Sequence, residues 1–527
     1  MKKLVQIISI VLVPQIIIAV IIYNYQNIKK QGNLEELRET YAQVAPQPVD
    51  HGKFEILQQK FDNPHQVTEA CLSCHTERGK ELLESTHFKW EREAFIPGKG
   101  VVYIGKKNLL NNFCTGIGAS EGTCNRCHVG YGYADKTFDF HDERNIDCLA
   151  CHDNSGLYKK APGAAGYPAS GENAPDYAAI SHHIGTPNKQ NCGTCHFHSA
   201  GGNNVKHGQL EEALLNTTKD VDVHMAKDGL DMNCVDCHSA ENHVMKGRYY
   251  GVASNDYNRA SCTDCHDKRP HKNEMINEHT IKVACQTCHI PEYAKVNATK
   301  MYWDWSTACD LKEGNPYYEL DSMGNKSYLS IKGSFVWQKN VKPDYRFFNG
   351  TADHYLLTDI IDTIPVQINT LFGSYNDKKA KIWPVKIHKG KQPYDTEQKR
   401  LLQAKLWDKE KGKGALWVDF DWASSLKAGM EYVGLPYSGQ YDFVETEMYL
   451  PLSHMVSPAN KSVSCQECHT RENSRMAGLT GFYMPGRDRN DILDLLGWLL
   501  VLGSLGGVLV HGGIRFYIAK SGDNPQH

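Results

Sequence analysis

The sequence predicts a mainly α-helical, loop-rich fold with little β-structure, flanked by a membrane-spanning helix at each end. Three observations support this prediction. The 527-residue chain carries 18 cysteines, and 16 of them belong to one short motif, C-x-x-C-H, which occurs eight times. Seven of these motifs lie within 219 residues, which leaves about 31 residues for each. Two apolar stretches near the ends of the chain are long enough to span a bilayer.

The repeated motif is the attachment signal for c-type haem, in which two thiols bond to the haem vinyl groups and the histidine ligates the iron. A disulfide framework or a zinc site does not require a histidine directly after every second cysteine. We therefore predict a multihaem cytochrome c fold packed around eight covalently bound haems c. The attachment cysteines are Cys71, Cys74, Cys124, Cys127, Cys148, Cys151, Cys192, Cys195, Cys234, Cys237, Cys262, Cys265, Cys285, Cys288, Cys465 and Cys468. The histidines that follow them are His75, His128, His152, His196, His238, His266, His289 and His469.

The two apolar stretches predict attachment to the cytoplasmic membrane. Leu4–Tyr23 follows two lysines and precedes no convincing cleavage site, which favours an uncleaved anchor over a removed signal peptide. Leu495–Ile514 is the second span, and Arg515 and Lys520 after it favour a cytoplasmic C-terminus. Since haem c is normally attached outside the cytoplasmic membrane, we expect the haem domain to face the periplasm or the cell exterior. His511 within the second span is either a contact for a b-haem or quinone of a partner or an interfacial residue.

Composition divides the chain into five segments. They are an N-terminal anchor (1–24), a polar linker (25–66), a heptahaem region with the active-site haem (67–290), an aromatic-rich mixed region with the eighth motif (291–490) and the C-terminal transmembrane helix (491–520). The aromatic-rich region holds seven of the nine tryptophans. Its patterns are strand-like at Ser334–Trp337 and Lys381–His388 and helical at Thr396–Leu406 and Trp422–Tyr432.

Each haem iron has a sixth position, which a second histidine fills in electron-transfer haems. Seventeen histidines remain outside the motifs, enough for seven haems with two histidine ligands. The candidate distal ligands are His87, His207, His224, His243, His271, His279, His388 and His454. We interpret His51, His65 and His527 as linker or tail residues, and we favour His141, His182, His183, His198 and His354 less. For each candidate, the alternative is an ordinary core or surface histidine.

Several longer stretches resemble the octahaem tetrathionate reductase family. They are NCGTCHFHSAGGNNVKH (Asn191–His207), DVHM (Asp222–Met225), VACQTCHIP (Val283–Pro291), WDWSTA (Trp303–Ala308), FVWQKNV (Phe335–Val341), KIHKGKQPYD (Lys386–Asp395), GLPYSGQY (Gly434–Tyr441) and GFYMPGRDR (Gly481–Arg489). The resemblance extends from about Cys71 through the C-terminal span.

The resemblance implies one active-site haem, the second here, whose distal ligand is a lysine amine. Lys206 is the matching lysine, and Cys114 matches a cysteine beside that haem. The alternative for Cys114 is a spectator thiol or a disulfide with Cys309, which stands where we expect glycine. The family pattern has an aspartate three residues before the lysine, where this chain has Asn203. Because an amide does not accept a proton at neutral pH, this departure bears on proton delivery and substrate preference.

The function implied by the resemblance is that of a membrane-anchored reductase. A membrane cytochrome b or quinol-oxidising subunit would supply electrons, and the small inorganic substrate would be tetrathionate, or else nitrite or hydroxylamine. Arg126 and Lys206 are candidates for attracting an anion. The alternative is an electron conduit from quinol to periplasmic acceptors with no substrate of its own; a third hypothesis runs the chemistry oxidatively, as in hydroxylamine oxidoreductases. A net charge of −3 gives no case for nucleic-acid binding.

Overall fold

The computed structural model describes residues 49–247 and 258–521, together with residues 15, 18–20 and 23. The predicted N-terminal anchor and residues 25–48 of the predicted linker therefore lie almost entirely outside the described residues, as does His527. The chain forms two compact units, residues 1–462 and residues 463–527.

The helices of the first unit are short, and most of them lie in the predicted heptahaem region. They are α1 (Pro64–Cys74), α2 (Arg78–Leu83), α3 (Thr86–Lys89), α4 (Glu121–Cys124), α5 (Leu149–His152), α6 (Tyr177–His182), α7 (Lys189–His196), α8 (Cys234–Cys237), α9 (Glu274–His279), α10 (Cys285–His289), α11 (Leu416–Asp419) and α12 (Trp422–Val433). Single 3₁₀ turns lie at His51–Lys53, Glu55–Leu57, Glu143–Asn145, Gly171–Asn173, Glu212–Leu215, Cys262–Asp264, Trp305–Thr307 and Ala459–Lys461.

The strands lie mainly in the aromatic-rich region. They are β1 (Arg92–Ile96), β2 (Gly100–Ile104), β3 (Ala240–Glu241), β4 (Val244–Met245), β5 (Thr299–Asp304), β6 (Tyr318–Leu320), β7 (Lys326–Leu329), β8 (Gly333–Gln338), β9 (Asp344–Phe348), β10 (Ala352–His354), β11 (Val366–Gln367), β12 (Asn369–Leu371), β13 (Lys381–Asp395), β14 (Arg400–Leu401) and β15 (Tyr441–Pro451).

The prediction of a mainly α-helical fold with little β-structure is wrong. The described residues are 30% helical and 18% strand, and nine strands form one mixed sheet in the order β11-β15-β13-β5-β8-β7-β6, with β9 and β14 also paired to β13. The predicted helix at Thr396–Leu406 is instead the turn into β14 and an extended segment. The predicted strands at Ser334–Trp337 and Lys381–His388 lie within β8 and β13, and the predicted helix at Trp422–Tyr432 is α12.

The sheet has its own hydrophobic core. Trp303 and Trp305 are buried with parallel rings 4.7 Å apart, and Phe335 meets Trp303 edge-on at 4.9 Å. The helix α12 covers them through Leu426 and Met430. Such large apolar side chains contribute roughly 3–5 kcal/mol each when buried. The aromatic-rich region is thus a folded platform with a core independent of any haem.

The second unit contains the eighth motif and one long helix. Cys465–Cys468 forms the short helix α13, and Asp491–Ser521 forms α14. Within the described residues, α14 is the one helix long and apolar enough to cross a membrane by length and composition. Its most apolar window has a mean hydropathy of 2.0 and is not buried inside the protein.

Candidate haem-binding and active site

Most haem-attachment motifs lie within a helical turn, whereas in the second motif Cys124 ends α4 and Cys127 lies in the turn that follows. In such a turn, residues three apart lie on one face, so the two thiols of a motif point the same way. A reciprocal cap closes three of these turns, in the pairs Asn233 with Asp236, Ser261 with Asp264, and Ser464 with Glu467. Each cap joins the residue before the first cysteine to the residue before the second, so short local sequence is sufficient to form the turn.

Several motif histidines are held by their Nδ1 atom. The Nδ1 of His152 lies 3.0 Å from the carbonyl oxygen of Gly185, and that of His238 lies 2.9 Å from the carbonyl oxygen of Lys246. In the second unit, the Nδ1 of His469 lies 2.7 Å from the carbonyl oxygen of Pro485. Donation of Nδ1–H to a carbonyl fixes the tautomer and leaves Nε2 as the metal ligand.

Five motif histidines face a second histidine at the separation expected for one shared iron. A metal–imidazole bond is about 2 Å long, so two imidazoles on opposite sides of an iron have ring centres about 6 Å apart. The ring centres are 6.4 Å apart for His51 and His75, 6.3 Å for His87 and His196, 6.2 Å for His238 and His454, and 6.1 Å for both His224 with His266 and His271 with His289. These residues therefore fit the haem that the motifs imply.

The pair of His51 and His75 includes a candidate ligand that sequence reasoning missed. We interpreted His51 as a linker residue because it lies in a polar segment upstream of the first motif. In the structure it begins a 3₁₀ turn in which the amide of the second residue, Gly52, donates to the Asp50 side chain at 3.1 Å. An aspartate that directly precedes the histidine was the available signal.

For the remaining candidate distal ligands, the structure shows contacts other than a motif histidine. His207 is buried, and His243 contacts Glu81 through Nδ1 at 3.0 Å. The Nδ1 of His279 lies 2.8 Å from the carbonyl oxygen of Met275 in its own helix. His388 lies on β13, where its ring meets Phe113 edge-on at 6.4 Å.

Cysteines of different motifs meet in pairs, which indicates neighbouring haems. The thiol pairs in hydrogen-bond contact are Cys71 with Cys148, Cys127 with Cys195, Cys192 with Cys234, and Cys262 with Cys285. These contacts join the first motif to the third, the second to the fourth, the fourth to the fifth and the sixth to the seventh. The arrangement suits electron transfer between closely packed haems.

The second motif has surroundings of its own. The His128 ring lies among Phe88, Trp90, Tyr133 and neighbouring phenylalanines, and its burial lowers the pKa of His128 to about 3. Its Nε2 lies 2.6 Å from the carbonyl oxygen of Phe88, whereas its Nδ1 has no hydrogen-bond partner within the described residues. His128 thus contacts the backbone through Nε2, whereas His152, His238 and His469 do so through Nδ1.

Lys206 lies beside the second motif. Its Nζ is 4.9 Å from the centre of the Phe113 ring, and burial lowers the pKa of Lys206 to about 8, with the charge of Lys106 acting in the same direction and Cys127 opposing it. A lysine with a depressed pKa supplies a neutral amine more readily, and a neutral amine is a ligand for a metal.

A buried lysine clamps the loop that carries Lys206. The Nζ of Lys386 donates to the carbonyl oxygens of Val205 and Lys206 at 3.0 and 2.9 Å and to the Thr299 hydroxyl at 2.6 Å. Gly208, with a φ of +73°, permits this approach, because a Cβ there would lie 2.6 Å from the Tyr293 ring. Sequence reasoning did not assign Lys386, although it begins the KIHKGKQPYD stretch.

Cys114 packs against the aromatic core of the sheet. The indole Nε1 of Trp305 donates to its carbonyl oxygen at 3.0 Å. Its charge also contributes to raising the pKa of Cys124, where burial is the main cause, so Cys114 lies near the second motif. Both Cys114 and Cys309 are free thiols, and Cys309 has a φ of +78°, a conformation that favours the glycine expected there.

The side chain of Asn203 is engaged by the backbone. Its Oδ1 accepts a hydrogen bond from the amide of Glu212 at 2.9 Å. Arg126, the other residue considered for anion attraction, is exposed.

Comparison with known proteins agrees with this geometry. A family model described as bacterial cytochrome c matches residues 300–472, and one described as cytochrome c7 and related cytochrome c matches residues 217–290. The crystal structure of an octahaem cytochrome c from Shewanella oneidensis is 40% identical, with a TM-score of 0.75, and the match covers 82% of this chain and 97% of that chain. The chain belongs to the octahaem cytochrome c family.

The family assignment is consistent with the resemblance to octahaem tetrathionate reductases. An uncharacterised protein from Archaeoglobus fulgidus is 26% identical over 244 residues, which is 37% of this chain and 80% of that protein.

Proposed function

We propose that this octahaem cytochrome c is a reductase that binds eight haems and reduces a small inorganic substrate, tetrathionate first among them, at a haem ligated by Lys206. The second motif, Cys124–Cys127–His128, would attach that haem. The observation that carries the proposal is that half-buried Lys206, whose Nζ lies over the ring of Phe113, and the free thiol of Cys114, the next residue, both lie near one attachment motif. The haem, when bound, supplies electrons at this position.

The residues around the motif have separate tasks in this proposal. Lys206 would hold the haem as a displaceable amine ligand, and a substrate could take its place. His128 would exchange its contact with the Phe88 carbonyl for the iron. Lys386 holds the backbone of Lys206, so that after displacement by substrate the Lys206 amine would return to the same position.

Cys114 gives the site a route for sulfur chemistry. Its thiolate attacks one of the two inner sulfurs of tetrathionate, which breaks the central sulfur–sulfur bond and releases one thiosulfate. The second half stays on Cys114 as a mixed disulfide. Two electrons then cleave that bond, releasing the second thiosulfate and restoring the thiolate.

Asn203 fits a sulfur substrate better than a nitrogen substrate. Reduction of tetrathionate to thiosulfate takes up two electrons and no proton, whereas reduction of nitrite or hydroxylamine to ammonium consumes protons. A carboxylate that delivers protons is therefore dispensable for the sulfur reaction, and an amide in its place is tolerated.

We also propose that helix α14 anchors the protein in the cytoplasmic membrane, with the haem domain outside. Its 31 residues exceed the length needed to span the hydrocarbon core. Electrons would come from a membrane cytochrome b or quinol-oxidising subunit. A location outside the cytoplasm agrees with the chemistry of haem c attachment.

The test combines substrate assays with two variants of the haem-loaded protein. We expect the wild type to reduce tetrathionate and Lys206→Ala to lose this activity. Cys114→Ser should lose tetrathionate reduction but retain reduction of hydroxylamine, which needs no sulfur exchange. Full tetrathionate activity in both variants would contradict the proposal.

The histidine pairs favour a second candidate, an electron conduit without a substrate. Haems with two histidine ligands and contacts between neighbouring motifs are what such a conduit needs. Failure of the wild type to reduce any of the three substrates, together with rapid reduction of all its haems by a quinol analogue, would favour the conduit.

A further inference from the structure

One face of the sheet carries three buried basic side chains, Lys300, Lys386 and His388, which we call the cationic face. The strands β5 and β13 run parallel and adjacent, with Trp303 opposite Gly390. Because side chains alternate along a strand, Lys386 and His388 lie on the face of Gly390 and hence of Trp303.

A β-bulge brings Lys300 to the same face. In a regular strand, Lys300 and Trp303 would point to opposite sides of the sheet. The register with β8 shifts between Lys300 and Tyr302, so that Lys300 pairs with Trp337 and Trp303 pairs with Phe335. Bulges of this kind are frequent beside active sites because they redirect a side chain.

Aromatic rings surround the redirected lysine. The Nζ of Lys300 lies 3.6 Å from the ring centre of Phe335, 3.7 Å from that of Trp303 and 5.3 Å from that of Trp337. Only 4% of Lys300 is exposed. Ring faces attract a cation but do not neutralise it.

Carboxylates do not balance the cationic face. Within the described residues, no ion pair involves Lys300, Lys386 or His388. Burial lowers the pKa of Lys300 and of Lys386 well below the usual value of a lysine. An anion that enters from outside stabilises their protonated forms, so the face favours such a ligand. Lys386 is already occupied by the backbone of Lys206, which leaves Lys300 and His388 for a ligand.

His388 has unused hydrogen-bonding capacity. It is fully buried, and within the described residues neither ring nitrogen has a hydrogen-bond partner. Burial, with the charges of Lys386 and Lys300, keeps the pKa of His388 well below its usual value. A buried imidazole with two unpaired nitrogens is rare in folded proteins and indicates a missing ligand.

The cationic face borders Cys114. The segment that ends at Cys114 lies against β13, since Asn112 Nδ2 donates to the His388 carbonyl oxygen at 2.7 Å and Phe113 touches the His388 ring. Trp305, which binds the Cys114 carbonyl, stacks on Trp303, and Trp303 lies under Lys300. Lys300 and His388 therefore both lie close to the segment that carries Cys114.

We propose that Lys300 and His388 form an anion subsite beside Cys114, which holds the charged oxygen atoms of an inorganic oxoanion while its sulfur meets the thiol. The inference rests on the proposed function for the role of Cys114. It adds a basis for substrate specificity. Doubly charged sulfur oxoanions bind at the subsite, whereas neutral hydroxylamine gains no binding affinity from it.

The test measures anion binding without turnover. The oxidised, haem-loaded protein is treated with iodoacetamide, which is neutral, and alkylation of Cys114 is followed by peptide mass spectrometry with and without dithionate. Dithionate is a dianion without an inner sulfur to exchange. We expect dithionate to slow alkylation in the wild type. In Lys300→Met and His388→Phe, equal protection should need a dithionate concentration about ten-fold higher or more.

Lys312→Met is the matched control. Its Nζ also lies over an aromatic ring, 3.9 Å from the centre of Tyr317, but it pairs with exposed Glu319 away from the thiol. This variant should retain wild-type protection. Unchanged haem spectra in the two subsite variants would show that they are folded.

Protection by dithionate at the wild-type level in both subsite variants would overturn the subsite. Changed haem spectra with unchanged protection would also overturn it, since this pattern is expected if a haem propionate occupies the cationic face. The outcome is separable from the proposed function. Protection that depends on Lys300 in a protein that reduces no substrate would retain the subsite and reject the reductase. Tetrathionate reduction with protection that does not depend on Lys300 would retain the reductase and reject the subsite.

Discussion

The heptahaem region, residues 67–290, and the sheet region, residues 299–451, differ in how their interiors are filled. The heptahaem region contains helices of one to three turns and two short hairpins, and five of its motif histidines face a second histidine across a gap that fits an iron. The sheet region buries Trp303, Trp305 and Phe335 against one another with no such gap. The comparison indicates that small apolar clusters and paired histidines fill one region, whereas large aromatic rings pack directly against one another in the other.

The largest expected effect comes from preventing haem attachment. Without haem, the heptahaem region keeps only small apolar clusters and loses the bonds that join its paired histidines, whereas the sheet region keeps its large aromatic core. We expect limited proteolysis of the haem-free chain to cut first within residues 51–290 and later within residues 299–451, as read by mass spectrometry. The haem-loaded chain, as the control, should resist in both regions. Equal cleavage rates in the two regions of the haem-free chain would contradict the comparison.

A smaller effect is expected where the two regions meet, at the contact of Lys386 with the Lys206 loop. Lys386→Met keeps the length of the side chain but leaves two carbonyls and one hydroxyl without their donor, at a cost of about 1–3 kcal/mol. We expect a lower melting temperature and a broadened spectroscopic signal of the lysine-ligated haem.

Lys389→Met is the control for that variant. Lys389 lies three residues further along β13, is 58% exposed and pairs with Glu447 at 3.4 Å. Exposed pairs contribute little, so its melting temperature and haem signal should match the wild type. If the melting temperature and haem signal of Lys386→Met also match the wild type, the sheet does not position Lys206.

The smallest effect is expected for Asn203→Asp, which restores the carboxylate of the family pattern. Aspartate can still accept the hydrogen bond from the Glu212 amide, so stability should change by less than about 1 kcal/mol. We expect faster reduction of nitrite and hydroxylamine, which consume protons, and an unchanged rate for tetrathionate. An equal gain for all three substrates would reject proton delivery as the cause.

The helical turns at several motifs of the heptahaem region could be predicted from the sequence because the signals for them are local. A motif cysteine pair and its cap, such as Asn233–Cys237, lie within five residues and need no distant partner. The pairing of His51 with His75 or His454 with His238 depends on tertiary contacts, so spacing does not reveal it.

The sheet was underestimated for a different physical reason. Strand β13 is buried on both faces along most of its length, so it lacks the polar alternation that marks a half-exposed strand. Lys386 and His388 are polar residues in buried positions, which disguises the strand further. The bulge that redirects Lys300 leaves no sequence signal at all. Functional residues in this chain therefore lie where the local pattern is broken.

The most direct test of the central claim is electron paramagnetic resonance of the oxidised, haem-loaded protein with and without Lys206. The account predicts one low-spin haem with an amine ligand among haems with two histidine ligands, and loss of that signal alone in Lys206→Ala. A wild-type spectrum with histidine-ligated haems only, unchanged in Lys206→Ala, would contradict it.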